Sequence, residues 1–280
     1  MSPIHNQGYR RYVGERAASG RAWMVIASSG LRSLFGRRVF LGLLLVSWFP
    51  FFVRAVQIYA AANVPQASFL APTPAMFRQF LGQQDVFVFF VAVYAGAGLI
   101  ANDRRANALP IYLSKPLTRA EYVLGKLVIL AALLLGITWL PAIVLLAVQI
   151  AFAGNLTFFR ENLFLWPAIT LFSLVEVLVV SASMLALSSL SNSSRFVGIL
   201  YAGLLFFTSA VYGVIFATTR NTRFSVLSFQ ANLERLGDAI FRQPSKYASP
   251  WPLSLLILVA LVAASTWVLE RRIRGVEVVA

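Results

Sequence analysis

Cysteine is absent from the 280 residues, and His5 is the sole histidine. The first absence excludes disulfides, thiolate metal sites and cysteine nucleophiles, and it leaves the redox compartment open. His5 lies in a polar leader, and no apolar stretch carries a histidine or two nearby carboxylates on one helix. Metal-assisted and general acid–base chemistry therefore lack their usual residues. Also missing is the glycine-rich loop that holds phosphates: Gly125-Lys126 resembles its end, but Ala120 stands in the place of its first glycine and Leu127 in the place of its hydroxyl. A chain so built is not expected to bind a nucleotide or any other cofactor itself. Charge is scarce as well, at 12% of residues against 59% hydrophobic, with mean hydropathy +0.76. A water-soluble domain, with about 25% charged residues, does not have this composition.

What is present is a set of long apolar runs without the alternation of a barrel strand. Six are expected to cross a membrane as helices, at 39–59, 86–101, 122–152, 163–190, 196–217 and 251–269. The second is short unless residues 80–85 extend it, since about 20 residues are needed to cross. The expectation is an all-α integral membrane protein with a single transmembrane domain over 1–280: a leader with an interfacial helix (1–38), a six-span bundle (39–269) and a tail (270–280). The long leader and long first run favour an uncleaved span over a signal peptide. The net charge of +14 comes from basic residues flanking apolar runs, so membrane lipid headgroups, not nucleic acid, are the expected counterions. Sixteen of the 24 Lys and Arg fall on the side of the termini and eight on the other. That bias places both termini in the cytoplasm.

Two amphipathic stretches flank the bundle. Trp23, Ile26, Ala27, Gly30, Leu31 and Leu34 recur at helical spacing among basic residues, which predicts a helix in the cytoplasmic interface. Before the last span, Phe229, Leu233, Leu236 and Ile240 form a stripe, with Gln230, Glu234, Asp238 and Arg242 facing away and Asp238 able to pair with Arg242. This predicts an outer amphipathic helix capping the bundle. Two polar residues lie within spans. Glu176 is either a feature of a translocation path or dimer interface, or an acid bonded to a neighbouring hydroxyl. Arg54, near the outer end of the first span, is expected to reach the headgroups. Pro50 and Pro141 predict kinks, and Ser181, Ala182, Ser183, Ala186, Ser188 and Ser189 predict close helix packing.

The connection between the second and third spans is the most informative segment. Thr118 and Glu121 form a capping box that opens the third span in water, and Pro116 prevents that helix from starting earlier. Residues 102–115 are then a short independent element in which Leu109, Ile111, Tyr112 and Leu113 sit among charges. Such an element is either a protein docking surface or a re-entrant turn facing lipid.

The segment resembles the first cytoplasmic loop of permease subunits in the type-2 exporter family of ATP-binding-cassette transporters. The resemblance is carried by Asp103-Arg104-Arg105, by 108–113, by the turn Ser114-Lys115-Pro116 and by the entry 122–126. More loosely it covers the six spans, both amphipathic helices and the terminal basic run. It implies a coupling helix at 103–116 that inserts into a separate cytoplasmic ATPase subunit, with Asp103, Arg104, Arg105, Leu109, Pro110, Tyr112, Ser114, Lys115 and Pro116 as the coupling residues. It also implies a second permease subunit, alike or different, in the inner membrane of a bacterial-type cell. A membrane scaffold or assembly factor without a transport cycle is the alternative from another class, with an intramembrane enzyme as the lesser one, and association with an ATPase separates transporter from scaffold.

Overall fold

The computed structural model describes residues 22–108, 118–154 and 157–273, which form helices and connecting turns, with no strand among them. Six helical segments are long and apolar enough to cross a membrane: Arg38–Asn63, Pro74–Arg105, Arg119–Ala153, Leu165–Leu190, Ser194–Thr219 and Trp251–Arg272, called spans 1 to 6 below. The shortest has 22 residues, about 33 Å at 1.5 Å per residue, which suffices for hydrocarbon about 30 Å thick.

Span 2 is the clearest departure from the sequence expectation. It begins at Pro74, not near residue 86, and the Thr73 hydroxyl caps it by accepting from the Met76 amide at 3.3 Å. The apolar run looks short because Arg78, Gln79, Gln83, Gln84 and Asp85 interrupt it, yet these residues belong to the same helix. Arg78, Asp85, Gln79 and Gln83 find partners on other segments of the bundle, which compensates for polar groups at this depth.

Three spans are bent, each for an identifiable reason. Span 1 breaks at Trp48, with Pro50 opening its second half. Span 3 breaks at Thr138, three residues before Pro141, and the Thr138 hydroxyl donates to the Leu134 carbonyl at 2.9 Å. In span 2 a wide π turn covers Ala92–Gly96. Just beyond it, Ser188 of span 4 enters the hydrogen-bond ladder. Its hydroxyl accepts from the amides of Ile100 and Ala101 at 3.1 and 3.0 Å and donates to the Ala97 carbonyl at 2.8 Å. An inserted side chain of this kind fixes a bend that would otherwise be soft. Ser188→Ala is expected to lower stability by about 1 to 3 kcal/mol, because two buried amides lose their acceptor. Thermal unfolding in detergent would show it, and Ser188→Thr, which keeps the hydroxyl, should avoid most of the loss.

Span 4 is the axis. Of its most apolar stretch 72% is buried, against 6% for span 5. It touches spans 2, 3, 5 and 6, while span 1 packs on spans 2 and 3 at the periphery. The serine-rich end of span 4 is buried as its small residues predict, including Ser181, Ser183, Ser188 and Ser189.

The N-terminal helix, Ala22–Phe35, is separate from span 1 and packs on the start of span 3. Its predicted stripe turns inward: Ala27 and Leu34 are buried, and Trp23, Ile26, Gly30 and Leu31 are half-buried. Gly125 permits the contact, since a Cβ there would lie 2.8 Å from the Ile26 Cβ and 3.1 Å from the Trp23 carbonyl oxygen. The second amphipathic helix, Phe229–Ile240, does cap the bundle, with Phe229, Leu233 and Leu236 buried. Its polar side does not face away as expected. Gln230 and Asp238 both reach span 2, and Asp238 pairs with Arg78 in place of Arg242. Arg242 lies instead over the Phe164 ring at 4.8 Å. The i, i+4 rule gave the wrong partner because a buried arginine from another segment competes better than an exposed neighbour.

Candidate functional site

Two polar clusters stand out, one at each end of the bundle. The first lies where span 2 leaves and span 3 enters. Span 2 ends at Arg105, and Asn107 follows with φ of 49°, a left-handed conformation that asparagine tolerates. Asp103 holds the exit to the entry: its Oδ2 accepts from the Lys126 ammonium at 2.7 Å and from the Tyr122 hydroxyl at 2.7 Å. The Lys126 ammonium also sits 5.4 Å from the centre of the Tyr122 ring. Arg104 donates to the Ser189 carbonyl and so ties the same point to span 4. Arg105 is exposed. The capping box is present in both directions, Glu121 N to Thr118 Oγ1 at 3.2 Å and Thr118 N to Glu121 Oε2 at 3.0 Å. Of the coupling residues expected from the sequence, Leu109, Pro110, Tyr112, Ser114, Lys115 and Pro116 lie outside the described residues. The structure brings together Asp103 with Tyr122 and Lys126, two halves of the motif separated by about twenty positions.

The second cluster lies at the opposite end, beneath the cap helix. Arg78 of span 2 binds Asp238 at 3.2 Å, donates to the Glu234 carbonyl at 3.1 Å and stacks 5.0 Å from the centre of the Phe172 ring. Gly237 leaves room for it, as a Cβ there would lie 2.6 Å from the arginine Nε. Glu234 is held by Lys246 at 2.7 Å and by the Tyr247 hydroxyl at 2.8 Å. Burial and this hydrogen bond to Glu234 push the Tyr247 phenol well above its usual range, so it stays a donor at any physiological pH.

Two turns deeper along span 2, Asp85 accepts from the Gln230 amide and lines one small cavity together with Glu176. Glu176 is buried, at 2% exposure, and its Oε2 has no hydrogen-bond partner. The sequence singled out Glu176 and left its surroundings open; the structure places the acid Asp85 in the same cavity. Asp85 escaped notice because it sits where hydropathy falls off, and its 91-residue distance from Glu176 hides the pairing. Arg54 does not stand free near the end of span 1. It binds Gln57 at 2.8 Å and Gln83 of span 2 at 3.3 Å.

A family model described as ABC-2 family transporter protein matches residues 32–272, a stretch that contains both clusters. The chain belongs to the ABC-2 transporter family. No curated protein gives a match. As an ABC-2 protein the chain is a multi-pass membrane permease subunit of an ABC transporter, and the ATPase of such a transporter is a separate subunit. The lone Gly125-Lys126 pair fits that division of labour: it lies inside the first turns of span 3, where Lys126 serves Asp103 and no loop exists to cradle a phosphate.

Proposed function

We propose that this ABC-2 permease is the membrane half of an exporter and takes its driving force from a cytoplasmic ATPase through the connection between spans 2 and 3. The observation that supports the proposal is the double attachment at the base of that connection. Asp103 joins it to span 3 through Lys126 and Tyr122, and Arg104 joins it to span 4. A displacement delivered at 103–116 therefore reaches three spans at once, including the central one. Arg105, exposed at the same place, supplies charge to a docking partner, while Asp103 and Arg104 serve as internal anchors.

In this scheme both termini and the connection face the cytoplasm of the inner membrane, and two permease subunits assemble with two ATPases. Closure of the ATPases on ATP moves the connection, and the bends in spans 1, 2 and 3 give the bundle defined places to shift between two packings. The residues of this chain transmit motion and do no bond chemistry. The test is a cysteine introduced at Ser114 in intact cells, combined with affinity purification of the full chain. Protection of that cysteine from an impermeant thiol reagent outside the cell, and recovery of an ATP-hydrolysing chain with the permease, are the expected results. Labelling from outside, or a purified permease with no ATPase, would overturn the proposal.

A further inference from the structure

Asp85 and Glu176 line one small cavity, and neither makes an ion pair among the described residues. The three ion pairs of the described residues are Arg78–Asp238, Lys126–Asp103 and Lys246–Glu234. Arg78, the nearest cation of the cap region, is committed to Asp238 and to the Glu234 carbonyl. Two carboxyl groups in one small cavity need a proton or a cation between them, because ionised carboxylates are acceptors only and repel each other.

The space around the pair has two parts. Asp85, Glu176, Tyr201 and Gln230 line a small chamber with about 10 Å³ of room, enough for a group the size of one water molecule. The partnerless Glu176 Oε2 belongs to this buried set. Beside it, sharing Asp85, Phe89 and Gln230, lies an open groove of about 430 Å³ between spans 2 and 5, walled by Gly82, Phe90 and Phe206. That volume falls within the range of drug-sized sites, about 300 to 1000 Å³. Size and chemistry thus change together, from a small acidic end to a wide aromatic one.

We propose that Asp85, Glu176 and the groove between spans 2 and 5 form a binding site for a lipophilic primary amine, with its ammonium between the two carboxyl groups and its apolar body along the phenylalanines. An ammonium matches the chamber in size, supplies the missing positive charge and has donors for both acids and for the Gln230 side-chain oxygen. The rings of Phe89, Phe90 and Phe206 offer the hydrocarbon body an aromatic, apolar surface. A bare metal ion would use the oxygens and leave the aromatic groove without purpose. The site rests on the transport proposal, for which it names the class of molecule carried.

The test is fluorescence titration of the detergent-solubilised complex of full-length permease and ATPase with dansylcadaverine, a lipophilic primary amine, over empty micelles. Two relatives of the probe serve as controls, one with the amine replaced by methyl and one by carboxylate. Saturable binding of the amine, at least about tenfold tighter than either control, is expected. Asp85→Asn with Glu176→Gln should weaken the amine by about tenfold or more and leave the methyl analogue unchanged. Gly82→Leu, which keeps both acids and fills the groove wall, should also weaken it and remains decisive if the double variant does not fold. Equal binding of the three probes, or unchanged amine affinity in Gly82→Leu, would overturn the proposal. Displacement by phosphatidylethanolamine at equal concentration would support the amine site and make a lipid headgroup its occupant, whereas failure of that lipid to displace the probe would assign the site to a non-lipid amine. ATP-driven export by a complex that binds no amine removes this site alone, whereas amine binding by a permease that recruits no ATPase removes the transport proposal alone.

Discussion

Reversing the charge of Arg104 and Arg105 together is expected to abolish ATP-driven transport and to lower affinity for the ATPase by about 2 to 5 kcal/mol, or roughly 30-fold to several thousand-fold. The two residues contribute differently. Arg105→Glu places an acid on the exposed face of the connection, so it acts on docking. Arg104→Glu sets a carboxylate against the Ser189 carbonyl, two acceptors facing each other, and frees the connection from span 4. Arg105→Glu alone should therefore reduce association while leaving thermal stability within about 0.5 kcal/mol, as for other exposed substitutions. Arg104→Glu alone should do both. Co-purification, transport into inverted vesicles and melting of each variant separate the outcomes. Full association of the double variant would place the docking surface elsewhere.

Arg78→Met is expected to destabilise the bundle by about 3 to 5 kcal/mol, because it leaves the largely buried Asp238 carboxylate without its cation. The arginine is 10% exposed and the aspartate 17%, so solvent does little to replace the lost partner. The same change removes the hydrogen bond to the Glu234 carbonyl and the stacking on Phe172, both of which hold the cap helix down. Arg78→Met combined with Asp238→Leu should recover most of the loss, since an apolar pair of similar volume avoids the unpaired charge. Thermal melts of both variants in detergent decide the matter. Equal destabilisation by the single and double changes would mean that packing, not charge, holds this region.

The number of spans was legible because twenty-odd apolar residues in a row have few other uses. Capping chemistry was equally legible: Thr118 and Glu121 are three residues apart, and the box they form is local. The bends at Trp48 and Thr138 followed from Pro50 and Pro141 by the same local logic. Span 2 was truncated because its polar residues lower hydropathy without revealing that Arg78 and Asp85 have partners in Phe229–Ile240, some 150 positions away, and Gln79 and Gln83 have theirs on span 1. The cap helix was misread for the matching reason. A wheel sorts residues by angle, and it assumes that the polar side meets water. Here Gln230 and Asp238 meet Asp85 and Arg78. Of the two clusters, the one at the connection was largely visible, since its parts lie within about twenty positions. The carboxyl pair was half visible, through Glu176 alone.

Span 5 leaves its mark on the groove it borders. Its 26 residues make a rod of about 39 Å, and only Val197 and Tyr201 among them are buried. So long and so lightly held a rod takes its lean from the acyl-chain length of its host bilayer, more upright where the chains are long and flatter where they are short. The gap it forms with span 2 is then a joint property of chain and surroundings, and an organism that remodels its fatty acids remodels that gap as well.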